Sequence, residues 1–99
     1  MDLPITCSLS EGELRERRRT ILMSVQADIG DTIAIANGYR YEFEAKSDIL
    51  ARLAQLVSLE HECCRFLTFK IVVEAGDTPI RLEVTGPPES KDMIADLLG

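Results

Sequence analysis

The sequence predicts an α+β domain with two layers, in which helices cover one face of a four-stranded antiparallel sheet built from two β-hairpins. Apolar residues recur at helical spacing in three segments, and the two pairs of segments between them alternate polar and apolar residues. Each predicted strand is apolar on one face only, so we expect water on one side of the sheet and helices on the other. The predicted order is α-β-β-α-β-β-α.

The length of the chain favours one domain. Ninety-nine residues can bury one hydrophobic core but not two. We therefore expect a single domain over residues 1–99, in which residues 1–9 form an extended or mobile N-terminal segment.

The first helix is predicted to begin at a capping box. The hydroxyl of Ser10 and the carboxylate of Glu13 are spaced to satisfy backbone donors at a helix start. Arg18 interrupts the apolar stripe of this helix, which should end before Gly30. The apolar residues at helical spacing are Leu14, Ile21, Leu22 and Val25.

A β-hairpin is predicted next, over residues 32–36 and 39–45. Asn37-Gly38 suits a two-residue turn, because both positions tolerate positive φ. The alternation predicts that one side of this hairpin carries Ile33, Ile35, Tyr39, Tyr41 and Phe43.

The second helix is predicted to start after Ser47 as N-cap and to end near Cys64 or Phe66. Strands over 68–75 and 80–85 follow, joined by a turn at 76–79. Their inward residues are predicted to be Phe69, Ile71, Val73, Ile80, Leu82 and Val84.

A short third helix is predicted at the end of the chain. Gly86-Pro87-Pro88 should end the last strand, because proline cannot continue the ladder of hydrogen bonds. The apolar residues of the third helix are Met93, Ile94, Leu97 and Leu98.

Composition limits the classes of partner. The chain carries 17 acidic and 11 basic residues, a net charge of −6, which opposes binding to the phosphates of nucleic acid. No apolar run is long enough to span a membrane, and the N-terminus lacks the order of a signal peptide. We expect a cytoplasmic protein with no nucleic-acid or membrane partner. Its three cysteines should be reduced thiols rather than parts of a disulfide framework.

Glu60 is the most informative residue of the second helix. At about 100° per residue, the stripe of Ile49, Leu53 and Leu56 continues through Glu60 and Cys64. A buried carboxylate needs a partner or a raised pKa, because an unpaired buried charge is costly. Arg18 is a candidate for the countercharge.

The adjacent cysteines Cys63 and Cys64, which we call the cysteine pair, suggest a site for a thiophilic metal ion. Thiolates select soft or borderline ions such as Zn, Cu or Hg, and Glu60 or His61 could complete the set of ligands. Adjacent residues of a helix point about 100° apart, so both thiols can share one ion only if the helix opens there. The switch to an alternating pattern after Phe66 places the pair near the helix end.

Two other interpretations fit the same residues. In one, the chain is a structural or protein-interaction domain that could form a homodimer, and the cysteines and Glu60 are structural. In the other, a strained disulfide within the cysteine pair acts as a thiol redox switch. The sequence contains no phosphate-binding glycine loop or serine nucleophile elbow, so we expect a role other than catalysis.

The stretch Glu60-His61-Glu62-Cys63-Cys64-Arg65-Phe66-Leu67-Thr68-Phe69 resembles the E-x-x-C-C-x-F-[LF]-T-[FW] signature of a group of small bacterial proteins. Some members of that group look linked to resistance to heavy metals, especially mercury. Residues 13–18, 37–39 and 82–88 also resemble the group, so the resemblance covers most of the chain. It implies a role for Glu60, Cys63 and Cys64, whereas His61 occupies a variable position.

Overall fold

The computed structural model describes residues 12–98, without the side chains of Glu13, Leu14, Cys63 and Leu98. The predicted α+β fold and its order of elements are confirmed. The predicted N-terminal segment 1–9 and the capping box at Ser10 lie outside the described residues. The elements are α1 (Gly12–Ala27), β1 (Ile29–Ile35), β2 (Gly38–Phe43), α2 (Ile49–Cys63), β3 (Thr68–Val72), β4 (Ile80–Thr85), a 3₁₀ turn (Pro88–Ser90) and α3 (Lys91–Leu98).

The four strands form one antiparallel sheet in the order β1-β2-β4-β3. Both predicted hairpins form, and β2 pairs with β4 at the centre to join them. On the inner face, Tyr41 lies opposite Leu82, which lies opposite Ile71. On the outer face, the guanidinium Nε of Arg40 lies 3.4 Å from a carboxylate oxygen of Glu83. This charged outer face agrees with the predicted wet side.

The turn of the first hairpin differs from the prediction by one residue. Ala36 and Asn37 form the turn, Asn37 has φ of 61°, and Gly38 is already paired with Ile35 as the first residue of β2. Gly38 is buried, and a Cβ atom on it would collide with the carbonyl oxygen of Val84. The glycine is therefore needed for close approach of β4 rather than for a positive φ in the turn.

This register corrects the predicted inner face of β1. Ile33 pairs with Arg40, whereas Thr32 pairs with Tyr41, and directly opposed residues share a face. The prediction that Ile33 and Ile35 share the face of Tyr41 was wrong, and 39% of Ile33 is exposed. A bulge next to Ile29 restores the inward direction at the start of β1, where Ile29 packs against the core.

Several boundaries of elements also differ from the prediction: β1 begins at Ile29 rather than at residue 32, and β2 ends at Phe43 rather than at residue 45. β3 ends at Val72, so Val73 is not an inward residue and 58% of it is exposed. The second helix begins at Ile49 with Asp48 as its N-cap residue, one position after the predicted Ser47. No helix within residues 12–98 combines the length and apolar character needed to cross a membrane.

The core lies between the inner face of the sheet and the three helices. The hydroxyl of Tyr41 donates a hydrogen bond to the carbonyl oxygen of Ile94 at 3.3 Å, which ties β2 to α3. Among the described residues, the apolar side chains buried completely or nearly so are those of Val25, Tyr41, Phe43, Ile49, Leu53, Leu56, Cys64, Leu82, Val84 and Ile94.

Helices α1 and α2 run antiparallel. Arg18 contacts Glu60 near one end of the pair, and Ser24 accepts hydrogen bonds from Arg52 near the other end. Arg52 also forms an ion pair with Asp28 at 2.5 Å. Residues early in α1 therefore lie beside residues late in α2, which is the end that carries the cysteine pair.

Candidate thiol site at the end of α2

Glu60 lies where the helical stripe predicts it, facing the core. Its exposed fraction is 0%, the same as that of Ile49 and of Leu53 on the same stripe. A carboxylate in such a place loses its hydration, so its free energy depends on the partners that the protein supplies. The position confirms that an acidic group stands within the apolar face of α2.

Arg18 supplies the partner of Glu60. Its Nε donates to Oε1 of Glu60 in a short contact, and its Nη2 donates to Oε2 at 3.2 Å. The two parallel bonds form the forked arrangement in which arginine binds a carboxylate most strongly. A quarter of the Arg18 side chain, 25%, remains exposed, so the pair reaches the surface through the guanidinium. The predicted countercharge is confirmed.

Burial raises the pKa of Glu60 above its ordinary value, because removal from water disfavours the ionised carboxylate. The hydrogen bonds and positive charge of Arg18 act in the opposite direction and limit the rise. Glu60 is thus a buried acid whose charge depends on one partner from another helix.

Cys64 is the residue at which α2 ends. Its backbone has φ of −124° and ψ of 75°, outside the helical region, although its N–H still donates to the carbonyl oxygen of Glu60 at 2.6 Å. Its own carbonyl accepts a hydrogen bond from the N–H of Leu67 at 3.1 Å. The helical backbone therefore ends between Cys63 and Cys64, as the metal hypothesis requires.

The thiol of Cys64 is completely buried, with an exposed fraction of 0%. Burial raises its pKa, the negative charge of Glu60 raises it further, and Arg18 lowers it by a smaller amount. The protein thus holds Cys64 as a protonated thiol at neutral pH. A thiol of this kind is a weak nucleophile, because the thiolate is the reactive form.

The structure brings Glu60 and Cys64 together and leaves His61 on the exposed side of α2. The side chain of Cys63 is outside the described part of the chain, as is Cys7. Among the side chains that are described, no three from His, Cys, Asp and Glu gather in a set that could hold a metal ion. The predicted set of Cys63, Cys64, Glu60 and His61 stays a prediction.

A groove of about 600 Å³ lies between α1 and α2, and no sequence pattern had predicted it. The signal that could have revealed it is a pair of small polar residues, Thr20 and Ser24, one helical turn apart on α1. Small side chains at a helix interface leave space that larger apolar ones would fill. The lining residues are Glu16, Arg17, Thr20, Ile21, Ser24, Arg52 and Gln55.

Comparison of the chain with protein-family models, with curated proteins and with solved structures gives no match. The resemblance of residues 60–69 to the E-x-x-C-C signature therefore stays a prediction.

Proposed function

We propose that this protein is a small cytoplasmic accessory or sensor protein that binds a thiophilic metal ion or metalloid through Cys63 and Cys64, without catalysing a reaction. The observation that supports the proposal most directly is the end of α2 between the two cysteines. In a continuous helix adjacent side chains diverge by about 100°, which would keep the two sulfur atoms from one ion. The non-helical φ and ψ of Cys64 end the regular helical geometry at this residue, which supports the proposal.

The charges around Cys64 favour a divalent soft ion. Glu60 is already compensated by Arg18, so the site has no spare negative charge while the thiols are protonated. Two thiolates formed on binding would neutralise a divalent cation and leave no unpaired charge in the core. Both oxygens of Glu60 accept hydrogen bonds from Arg18, so Glu60 remains beside the thiols as the partner of Arg18 and the thiol protons leave to solvent.

Because Cys64 is buried, the site should select metal ions that form strong bonds with sulfur. Because its pKa is raised, an ion must displace a tightly held proton before it can bind. Mercury(II), copper(I) and zinc form strong bonds with thiolates, whereas magnesium and calcium prefer oxygen ligands. We therefore expect the first group to bind and the second to be rejected.

Native mass spectrometry of the reduced protein tests this function. The protein is exposed separately to mercury(II), copper(I) and zinc in the presence of a competing small thiol. One ion should be retained by the wild-type protein and lost from both Cys63→Ser and Cys64→Ser. Ser58→Ala serves as the matched control, because Ser58 is exposed on the same helix and lies outside the predicted set of ligands. Equal retention by the two cysteine variants and the wild type would refute the proposal.

A structural role is the second candidate, and the Arg18–Glu60 pair favours it. Two helices joined by a buried bidentate ion pair, with Cys64 packed beside it, form a structural element that needs no ligand. Under this alternative the chain is an interaction domain, for example a homodimer. Cys64→Ala would then lower the free energy of unfolding or change the oligomeric state, while the wild-type protein would retain no thiophilic ion.

A redox switch within the cysteine pair receives less support. Thiol–disulfide exchange is fastest when the attacking thiol has a pKa near the ambient pH, and the pKa of Cys64 is raised. Mass spectrometry after mild oxidation, with and without a reductant, would detect a reversible loss of two hydrogens if a vicinal disulfide formed.

A further inference from the structure

Strand β1 forms one edge of the sheet, and the helices of the described chain leave it open. Within residues 12–98 its strand neighbour is β2 alone, and the main contacts of α2 and α3 with the sheet are with β2, β3 and β4. Residues 30–34 are all exposed, including Thr32 and Ala34, whose side chains share the inner side of the sheet with those of β2. An open edge strand is a template for pairing with another chain.

Hydrogen bonding in the first hairpin fixes which backbone groups of β1 point outward. The carbonyl oxygen of Asn37 accepts a hydrogen bond from the N–H of Gly86 at 3.0 Å, on the β4 side of the hairpin. Hydrogen-bonded and non-hydrogen-bonded pairs alternate along an antiparallel ladder, so Ile33 is in a hydrogen-bonded pair with β2, whereas Thr32 and Ala34 are not. Each of these two residues therefore directs one N–H and one C=O away from the sheet.

The side chains of β1 lack the features that protect the other edge of the sheet. The strand contains no lysine or proline, its charged residue is Asp31, and 39% of Ile33 is exposed. On β3, by contrast, Lys70 is exposed at the centre of the edge strand. Lysine on an edge strand discourages pairing, because two β3 strands paired about their centres would set one Lys70 against another.

We propose that β1 is an interaction surface for a second copy of this chain, and that two β1 strands pair antiparallel to join two four-stranded sheets into one. The bulge between Ile29 and Asp31 interrupts the ladder at the start of the strand, and the turn begins at Ala36. The pairing is therefore confined to residues 31–35. No thiol takes part, so the interface is independent of metal binding and goes beyond the proposed function.

One register uses every outward group of residues 31–35. It places Ile33 opposite Ile33 of the second copy and Thr32 opposite Ala34 of the second copy, so each outward N–H meets an outward C=O. The neighbouring registers would bring Gly30 of the bulge or Ala36 of the turn into the ladder. In the chosen register Ile33 meets its copy on the two-fold axis in a non-hydrogen-bonded pair, which brings side chains closest together.

Charge and symmetry favour this pairing over the alternatives. Asp31 lies opposite Ile35 of the second copy, so the two carboxylates are not opposed. Pairing of β1 with β3 of another copy would leave a free edge at each end and would extend into a filament. Two β1 strands instead form a closed, isologous contact, which leaves Lys70 on both outer edges.

Sedimentation equilibrium of the reduced, metal-free protein tests the interface. Because the contact is small, we expect a dissociation constant of about 10–100 µM, which protein concentrations of about 5–500 µM bracket. Ile33→Glu should weaken dimerisation at least about tenfold, because two glutamates would face each other on the axis. Arg40 lies opposite this position on β2, so the variant should still fold. Val73→Glu is the matched control, since 58% of Val73 is exposed just beyond β3.

Ala34→Pro and amide hydrogen exchange test the backbone hydrogen bonds. Proline is tolerated on an edge strand where the N–H it removes faces solvent, so Ala34→Pro should remove a donor that only the dimer uses. In the wild type, exchange at Thr32 and Ala34, followed by NMR, should slow as protein concentration rises. The N–H of Ile33 should be protected at every concentration, because it is bonded to β2.

A dimer that is lost in Ile33→Glu and Ala34→Pro but kept in Val73→Glu would support the inference. A wild type that stays monomeric, a dimer that survives Ile33→Glu, or equal loss in Val73→Glu would overturn it. Protection of Thr32 and Ala34 that does not change with concentration would mean that the edge is covered within one chain, and would overturn it too. Circular dichroism verifies the fold of each variant, and Ile33→Glu with hydrogen exchange decides the outcome if Ala34→Pro does not fold.

Discussion

Replacing Arg18 by methionine should destabilise the protein, because it leaves the carboxylate of Glu60 buried without its partner. Glu60 has no exposed surface, and both of its oxygens accept hydrogen bonds from Arg18. Removing one member of a buried ion pair typically costs about 3–5 kcal/mol. Because 25% of the Arg18 side chain is exposed, we expect the lower end, about 3 kcal/mol.

Urea unfolding followed by circular dichroism at pH 7 measures this change. For a domain of this size, about 3 kcal/mol corresponds to a melting temperature lower by about 12–24 °C. Arg19→Met is the matched control, since it removes the same charge from an exposed position of α1 that does not line the groove between α1 and α2. The double variant Arg18→Met/Glu60→Met should recover stability to within about 1 kcal/mol of the wild type, because an apolar pair replaces the ionic one.

The stability of Arg18→Met should also depend on pH in a defined direction. Without Arg18, only the effect of burial on the pKa of Glu60 remains, so its folded-state pKa lies further above the ordinary value of 4.5 than in the wild type. The folded state then binds more protons than the unfolded state, and stability falls as the pH rises through this window. The slope can reach about 1.4 kcal/mol per pH unit.

Two results would refute the reasoning about the ion pair. A loss below about 1 kcal/mol in Arg18→Met would mean that the pair behaves like an exposed salt bridge. Equal destabilisation of the single and double variants would mean that Arg18 matters through packing of its carbon chain rather than through the charge of Glu60.

Three further predictions concern single residues. Alkylation of Cys64 by iodoacetamide should be at least about tenfold slower in the folded protein than in urea, because burial disfavours the thiolate; equal rates by peptide mass spectrometry would contradict this. Gly38→Ala should lower the free energy of unfolding by about 3 kcal/mol, because its Cβ would clash with β4. Gly76→Ala, at a position with φ of 86°, should lower it by about 1 kcal/mol. A larger loss for Gly76→Ala than for Gly38→Ala in urea unfolding would contradict the register. Burial raises the pKa of Tyr41 to about 12, so the free energy of unfolding should fall as the pH rises from 10 towards 12. Tyr41→Phe should remove the corresponding step in an ultraviolet titration. The same variant should lose about 1 kcal/mol of stability, because its hydrogen bond to Ile94 is absent.

The order of elements and the position of Glu60 on the apolar stripe of α2 could be predicted from the sequence, because both depend on local periodicity. Helical spacing was sufficient to place Glu60 on the apolar face and to identify Arg18 as an interruption of another stripe. The change from helical to alternating spacing also predicted that the helix ends near the cysteine pair. Periodicity succeeds here because each side chain's direction is set by its own helix.

Tertiary structure alone decided which residues meet. Whether Arg18 reaches Glu60 depends on the direction and level at which α1 packs on α2, and two interrupted stripes do not specify that packing. The register of the first hairpin was decided in the same way, since Gly38 is required by the backbone of β4 and not by its own turn. A shift of one residue moves a side chain to the other face of a sheet, so the alternation in β1 could not by itself place Ile33.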